Sequence, residues 1–199
     1  MNSLYIVLAV VIAVTNVKTL GALKVQVFYE TLCPDSQHFI TTQLNPTFAQ
    51  LGSERIDLEL IPYGHASEET DANGTKTFTC QHGPDECYGN KVHACVNNLS
   101  RAIEESLHFA YCSELSHTPA NVTVLQVCAQ GAGISWSKVE DCLSSGLADE
   151  LLSANGRKTA LVDAGNIPTI VFNKIYYPNR ESAWFNFKET VCQFVDCIY

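Results

Sequence analysis

Cys33 is the residue of this sequence best placed to do chemistry. The apolar alternation of Lys24–Glu30 predicts a buried strand before it, and Pro34 suits the first position of a helix after it, where its missing N–H costs no hydrogen bond. At the resulting helix N-cap, unpaired N–H groups and the positive end of the helix dipole stabilise a thiolate. We therefore expect a nucleophilic Cys33 with a pKa below the usual value of about 8.5, although the neighbouring anion Asp35 opposes this.

Two further positions belong to the same predicted site. A cysteine between a strand and a helix, followed by proline, is typical of thioredoxin-like redox sites, which normally read C-x-x-C, but the fourth residue here is Ser36. Ile167-Pro168 directly precedes a predicted strand, and in thioredoxin-like folds such a proline is cis and faces the reactive cysteine. We predict a catalytic site of Cys33, Ser36 and Pro168. The alternatives for Cys33 are a buried inert thiol or one half of a structural disulfide.

The number of cysteines agrees with one free thiol. There are nine, so a free Cys33 leaves eight that can form four disulfides, in 105 possible connectivities. Cys192 and Cys197 are the simplest local pair, and the other pairings stay open. The predicted structural cysteines are Cys80, Cys87, Cys95, Cys112, Cys128, Cys142, Cys192 and Cys197.

A second group of chemistry-bearing residues occupies positions 80–95, which read CQHGPDECYGNKVHAC. Three cysteines and two histidines are compatible in type with a zinc site. Their spacing argues against one, because six and seven residues separate the cysteines and no close Cys or His pair occurs. Disulfides are the better expectation in an oxidising compartment, so we predict no metal site and no cofactor.

The elements that must hold these residues follow from hydrophobic periodicity. The predicted elements are a βαβ unit over residues 24–61, a long polar loop over 63–79, helices over 84–155, strands at 169–173 and 174–177, and a helix at 183–195. Pro46 is expected to end or kink the first helix. The expected fold class is α/β, with a thioredoxin-like central sheet and a disulfide-rich helical insertion at about 80–155, in a single domain over 22–199.

The N-terminus predicts secretion. Leu4–Val14 is an unbroken apolar run of 11 residues, too short to span a bilayer, which needs about 20, but suited to a signal peptide. Small residues near Gly21 place the cleavage site there, so residues 1–21 are the predicted signal peptide; a buried strand or an uncleaved anchor are the alternatives. The sequence also contains three N-glycosylation sequons, at Asn73, Asn98 and Asn121.

Charge and hydropathy limit the partners. The chain has 21 acidic and 12 basic residues and a formal net charge of −9, which argues against binding nucleic acid. No long apolar span follows the N-terminal run, so we expect no membrane attachment after cleavage. The expected location is outside the cell or in the lumen of endosomes or lysosomes, and the oligomeric state stays open.

The segment 80–95 resembles the signature of the gamma-interferon-inducible lysosomal thiol reductase family, C-Q-H-G-x-x-E-C-x-x-N-x-x-x-x-C. All its fixed positions are present: Cys80, Gln81, His82, Gly83, Glu86, Cys87, Asn90 and Cys95. The resemblance extends over essentially the whole mature chain. It implies a thioredoxin-like fold with a helical insert, and reduction of protein disulfides in an acidic lumen or outside the cell, with roles in antigen processing or host defence.

Ser36 distinguishes this chain from the C-x-x-C enzymes of that family. A Cys33 thiolate still attacks a substrate disulfide, but a hydroxyl cannot release the mixed disulfide, so release needs an external thiol such as cysteine or glutathione. The predicted function is reduction or exchange of the disulfides of protein substrates through one cysteine. The alternative is a catalytically weak secreted protein that binds partners, for example in immunity.

Overall fold

A mixed four-stranded sheet, in the order β2-β1-β5-β6, forms the centre of the computed structural model, which describes residues 21–162, 164–176 and 180–197. Its strands are β1 (Leu23–Tyr29), β2 (Ile56–Pro62), β5 (Thr169–Phe172) and β6 (Ile175–Tyr176). β1 pairs in parallel with β2 and antiparallel with β5, which pairs antiparallel with β6. β5 is buried along its whole length, and the last three residues of β1 are buried as well. The predicted βαβ unit is therefore confirmed.

The connection between β1 and β2 is helical almost throughout. It consists of α1 (Pro34–Phe39), a π-helical turn (Ile40–Leu44) and α2 (Asn45–Leu51). Pro46 therefore does not end the helix. Because proline lacks an N–H and its ring clashes with the carbonyl of the preceding turn, a wider turn before it lets the helical path continue. Ile40 and Leu44 in this turn are fully buried in the core beneath the sheet.

Five helices form the predicted insertion. They are α3 (Pro84–Leu99), α4 (Ile103–Glu114), α5 (Val122–Gly131), α6 (Trp136–Ser144) and α7 (Leu147–Ala160). Their apolar residues form a second core, with Val92, Phe109, Leu125 and Val139 buried at its centre. The α/β class with a helical insertion is thus confirmed, with the helices reaching five residues beyond the predicted end at 155.

Two predicted elements are different in the structure. The polar segment expected to be a long loop contains a hairpin of β3 (Ser67–Thr70) and β4 (Lys76–Thr79), whose turn is held by Asp71. Both strands are mostly exposed, and Phe78 is their one apolar residue, so no apolar alternation reveals them. The C-terminal helix predicted over 183–195 is two short helices, α8 (Arg180–Phe185) and α9 (Phe187–Val191). Residue 177, at the end of the last predicted strand, lies outside the described residues.

No helix of the described residues has both the length and the apolar character needed to cross a membrane. The predicted signal peptide lies, up to residue 20, outside the described residues and stays a prediction. The three sequon asparagines, Asn73, Asn98 and Asn121, are all exposed. Asn121 is also the N-cap of α5, where its side chain accepts the N–H of Thr123 at 3.0 Å. Glycosylation itself stays a prediction.

Candidate active site around Cys33

Cys33 is the N-cap residue of α1 and the free cysteine of the chain. Its N–H donates to the carbonyl oxygen of Glu30 at 3.3 Å, and its own carbonyl accepts the N–H of Gln37 at 3.0 Å. Its sulfur lies 3.6 Å from the carbonyl oxygen of Ile167, and the Ile167–Pro168 peptide bond is cis. The structure thus brings Cys33 and the Pro168 segment together, as the sequence predicts.

The Cys33 thiol does not have the lowered pKa that its helix position predicts. Its side chain is only 8% exposed, and burial raises its pKa above the usual value. Hydrogen bonds from Ser36 and from the backbone of Asp35 lower the pKa again without overcoming burial, and the charge of Glu30 raises it further. The prediction was wrong because the sequence shows the helix end but not the loss of solvent around the sulfur.

Ser36 lies one turn into α1 and is fully buried. Its hydroxyl oxygen accepts the N–H of Glu30 at 3.3 Å, and its hydrogen bonding to Cys33 favours the thiolate. A hydroxyl in this place stabilises the Cys33 thiolate but takes no part in thiol–disulfide exchange.

Glu30 is a site residue that the sequence analysis missed. Its side chain is fully buried; Oε1 accepts the backbone N–H of His65, and Oε2 accepts no hydrogen bond from a described residue. Burial raises its pKa from 4.5 to about 7, the His65 hydrogen bond and His82 lower it, and Glu86 raises it. Gly64 leaves it room, since a Cβ there would lie 2.1 Å from the Glu30 Cγ. The sequence feature that could have identified Glu30 is its position: it ends an apolar strand and lies three residues before the predicted nucleophile.

His82 and Glu86, two fixed residues of the family signature, lie against Glu30. The His82 Nδ1 is 2.6 Å from Glu86 Oε2 and 3.7 Å from Glu30 Oε2, and the His82 N–H donates to Glu86 Oε1 at 3.1 Å. The Glu86 side chain is fully buried, whereas a third of the His82 side chain is exposed. The Glu86 carboxylate is therefore held by two donors of one residue.

The same three side chains form a group of possible cation ligands among the described residues, with their polar atoms within 4.8 Å of one another. However, the 2.6 Å between His82 and Glu86 is a hydrogen-bond distance. Ligands around a tetrahedral metal with bonds of about 2.0 Å lie roughly 3.3 Å apart. His82 and Glu86 therefore have the geometry of a hydrogen-bonded base and acid, with the Glu30 carboxyl group beside them.

Other residues of α3 dock onto the segment that leads to Cys33. The Thr31 N–H donates to Asn90 Oδ1 at 3.1 Å, and the Thr31 hydroxyl donates to the carbonyl oxygen of Glu86 at 3.3 Å. Gly89 permits this approach, since a Cβ there would lie 2.4 Å from the Thr31 Oγ1. Glu86 and Asn90 of the signature therefore fix α3 against the reactive turn.

The remaining signature residues have structural positions. Gly83 is the N-cap of α3 with a φ of 91°, in the region that favours glycine, and Gln81 is exposed. All eight predicted structural cysteines are paired, as Cys80–Cys87, Cys95–Cys142, Cys112–Cys128 and Cys192–Cys197. The expected C-terminal pair is thus confirmed, and the signature cysteines have no thiolate to offer a metal.

A groove begins beside the reactive turn. It has a volume of about 520 Å³, and its lining includes Leu32, Pro119 and Val122, with Asp85, Tyr88 and His117 as its titratable groups. Leu32 directly precedes Cys33, so the groove extends to the residue next to the candidate reactive cysteine. Its mixture of apolar and polar walls suits an extended peptide segment.

Comparison with known proteins identifies relatives of the chain. The family model described as gamma interferon inducible lysosomal thiol reductase matches residues 24–132. GILT-like protein 1 of Drosophila melanogaster is 34% identical over 186 residues, which cover 86% of this chain and 74% of that protein. A gamma-interferon-inducible lysosomal thiol reductase-like protein of Anopheles gambiae is 35% identical over 165 residues, covering 76% and 68%.

Solved structures of low sequence identity share the fold. DsbA of Chlamydia trachomatis superposes with a TM-score of 0.62 at 14% identity, covering 87% of this chain and 86% of that one. Reduced DsbA of Mycobacterium tuberculosis gives 0.61 at 17% identity, covering 93% and 92%. These similarities confirm the predicted thioredoxin-like fold with its helical insertion.

Proposed function

The chain belongs to the gamma-interferon-inducible lysosomal thiol reductase family, and on that premise we propose that it exchanges or reduces disulfides of protein substrates through Cys33 alone. Family and fold support thiol oxidoreductase activity in general. The observation that carries the single-cysteine mechanism is that Cys33 is the free thiol, at a helix N-cap beside the Pro168 segment, while Ser36 fills the place of a second thiol.

The reaction consists of three exchanges. The Cys33 thiolate attacks one sulfur of a substrate disulfide; the S–S bond breaks, a mixed disulfide with Cys33 forms, and the other substrate sulfur leaves as a thiolate and takes up a proton. An external thiol such as cysteine or glutathione then attacks the Cys33 sulfur and releases the second substrate thiol. A second external thiol restores Cys33 and leaves as the oxidised small disulfide.

The protein positions the substrate for the first step. The carbonyl of Ile167 lies 3.6 Å from the Cys33 sulfur, so the backbone beside Pro168 lies next to the reacting atom. A substrate segment extended along this backbone and into the groove at Leu32 would present its disulfide to Cys33. The substrates we propose are therefore proteins with exposed disulfides on flexible segments.

The compartment belongs to the same proposal. Four disulfides indicate an oxidising environment, and the family name refers to the lysosome. We propose an extracellular or endosomal and lysosomal location, with a small thiol of that compartment as reductant.

The test is insulin reduction by the secreted protein at pH 5 and pH 7, with and without cysteine or glutathione. We expect turnover only with the external thiol, and its loss in Cys33→Ser. Turnover that persists in Cys33→Ser would overturn the proposal. If wild type shows no turnover, and the Cys33→Ser variant keeps the biological effect of the wild-type protein, the second candidate is favoured, a protein that binds its partners. The observations behind this candidate are the burial of Cys33 and the serine at position 36.

A further inference from the structure

The proposed exchange through Cys33 uses no residue of the family signature at positions 80–95. The structure nevertheless connects the signature to Cys33 through Glu30. The backbone of Glu30 holds both ends of the reactive turn: its carbonyl accepts the N–H of Cys33, and its N–H donates to the hydroxyl of Ser36. Its side chain is packed against His82 and Glu86 of the signature. One buried carboxyl group therefore lies between the signature and Cys33.

Two fully buried carboxyl groups at this place share a single histidine. Glu86 accepts both the backbone N–H and the ring Nδ1 of His82, whereas Glu30 Oε2 is 3.7 Å from that ring nitrogen and accepts no hydrogen bond from a described residue. Two carboxylates so close together and so little solvated are costly to ionise together. Glu86 is the carboxyl group hydrogen-bonded to His82. Glu30 lacks such a partner at Oε2 and is the group that holds a proton in acidic solution, since burial raises its pKa to about 7.

The groups that face Glu30 come from three parts of the fold. At the start of α1, the N–H of Cys33 donates to the Glu30 carbonyl at 3.3 Å. Glu86 lies against the Glu30 side chain from the first turn of α3, and His82 from the turn just before it. The connection between β2 and β3 contributes only the backbone N–H of His65, whose side chain is exposed. A negative charge on Glu30 raises the pKa of the Cys33 thiol, so the two groups titrate as a coupled pair.

We propose that Glu30, His82 and Glu86 form a buried cluster in which the protonation of Glu30 controls the ionisation of Cys33, with Glu30 as the positioning residue between the signature and the thiol. When Glu30 is protonated, in acidic solution, it exerts no charge on Cys33, and the thiolate forms more readily. When Glu30 ionises near neutral pH, it opposes the thiolate. The inference deepens the proposed function, since it takes Cys33 as the reactive thiol. It also explains why one acid at the end of β1, Glu30, and one acid of the signature, Glu86, are buried together near the reactive turn.

The experiment measures the rate of iodoacetamide alkylation of Cys33 in the full folded protein between pH 4 and pH 10. A lone thiol gives a logarithmic rate that rises with unit slope up to its pKa. In wild type we expect this rise to flatten between pH 6 and pH 8, where Glu30 ionises. In Glu30→Gln we expect unbroken unit slope and alkylation about tenfold faster than wild type at pH 8, the factor given by one unit of thiol pKa.

Variants of the two signature residues move the flattening in opposite directions. Glu86→Gln removes the neighbouring carboxylate that raises the pKa of Glu30, so the flattening moves to lower pH. His82→Gln removes the charge that lowers it, so the flattening moves to higher pH. Asp35→Asn is the matched control, because it removes an exposed negative charge next to Cys33 and shifts the whole profile while the flattening stays at the wild-type pH.

A wild-type profile of unit slope, identical in shape to that of Glu30→Gln, would overturn the inference. If Glu30→Gln does not fold, the opposite shifts of His82→Gln and Glu86→Gln decide, and shifts of the same sign or no shifts overturn it. The measurement needs no substrate. A flattened profile without insulin turnover would therefore refute the proposed function and support the cluster, while turnover with an unbroken profile would do the reverse.

Discussion

The buried hydroxyl of Ser36 leaves Cys33 without a neighbouring thiol. In a C-x-x-C site, the second thiol attacks the mixed disulfide from one helical turn away, at an effective concentration that solution thiols do not reach. Ser36 has the location of that thiol, since it is fully buried in α1 and hydrogen-bonded to the reactive turn. The proposed reaction therefore differs from that of a dithiol enzyme in the releasing step alone.

Replacing Ser36 by Cys should restore intramolecular release. In single-turnover experiments without external thiol, we expect Ser36→Cys to release substrate from the mixed disulfide at least about tenfold faster than wild type, because the attacking group no longer has to diffuse. Wild type should accumulate high-mass mixed disulfides that disappear on reduction. Ser36→Ala is the control and should gain nothing. If Ser36→Cys shows no gain and wild type traps no substrate, Cys33 is not a working nucleophile.

The residues that the sequence could identify are those whose role depends on local pattern. Cys33 and Pro168 follow from a strand end, a proline and a second X-Pro, and the structure places them together. The pKa of Cys33 and the presence of Glu30 in the site could not be predicted in the same way. The Cys33 pKa and the burial of Glu30 both depend on how much solvent the helical insertion excludes from the end of β1. No local sequence pattern predicts this.

At the scale of elements, the docking of α3 onto the end of β1 positions the site. Two hydrogen bonds join Thr31 to α3 across this contact, and Gly89 allows the two elements to approach. The helical pattern of this segment was visible in the sequence, because its apolar residues recur at helical spacing. Its polar inward face was not visible, since Glu86 and Asn90 are residue types that usually face solvent, yet both are fully buried.

Gly89→Ala should therefore damage both stability and site. A methyl group 2.4 Å from the Thr31 hydroxyl oxygen and 3.1 Å from its Cβ forces α3 away from the reactive turn. We expect a loss of about 1–3 kcal/mol in the free energy of unfolding, measured by denaturant titration, and an altered pH profile of Cys33 alkylation. Gly131→Ala is the control, since its nearest neighbour is the His108 ring at 3.3 Å. Equal stability of the two variants would contradict the docking role of Gly89.

At the scale of the whole molecule, the disulfides join elements that the sequence could not relate. Cysteine parity predicted four bridges, and only the pair separated by five residues was identified. Cys95 and Cys142 are 47 residues apart, and their bridge joins α3 to α6 across the insertion. Which cysteines form a disulfide depends on how the helices pack. That packing depends on the side-chain shapes along entire helix faces, not on the spacing of the cysteines in the sequence.

The two bridges should contribute unequally to stability. A cross-link that closes a longer loop removes more entropy from the unfolded chain: about 4 kcal/mol for Cys95–Cys142 and about 2 kcal/mol for Cys192–Cys197. We expect the double variant Cys95→Ala/Cys142→Ala to lose more free energy of unfolding than Cys192→Ala/Cys197→Ala in denaturant titrations. The reverse order would show that packing around the shorter bridge outweighs loop entropy.

Stability should also depend on pH in a way that the buried titratable groups define. His93 is fully buried between the Tyr29 hydroxyl at 2.9 Å and the Ser113 hydroxyl at 3.1 Å, and burial lowers its pKa to about 3. Burial raises the pKa of Glu30 to about 7 and that of the buried Glu114 well above its usual value. The folded state therefore disfavours protonation of His93, and it disfavours ionisation of Glu30 and Glu114.

These shifts predict greatest stability in mildly acidic solution. The contribution of His93 to the free energy of unfolding is complete above its pKa in the unfolded chain, about 6.5. This contribution is lost as the pH falls toward about 3, the pKa of His93 in the folded protein. That of Glu30 is complete below 4.5 and is lost as pH rises through about 7, and Glu114 acts in the same sense. Between about pH 4.5 and 6.5 the effect of His93 and that of the two acids oppose each other. Below this range protonation of His93 lowers stability, and above it ionisation of the acids lowers stability.

The check is the free energy of unfolding measured from pH 3.5 to pH 8.5 with the disulfides intact. We expect a maximum between about pH 4.5 and 6.5, with lower values at both ends. Glu30→Gln should reduce the loss between pH 6 and pH 8, because the amide has no proton to give up. Glu54→Gln, at an exposed position, should leave the curve unchanged in shape. A free energy that rises steadily from pH 6 to pH 8 would show that the buried acids are ionised in the folded protein without cost, and the proton held by Glu30 would then have no place in the site.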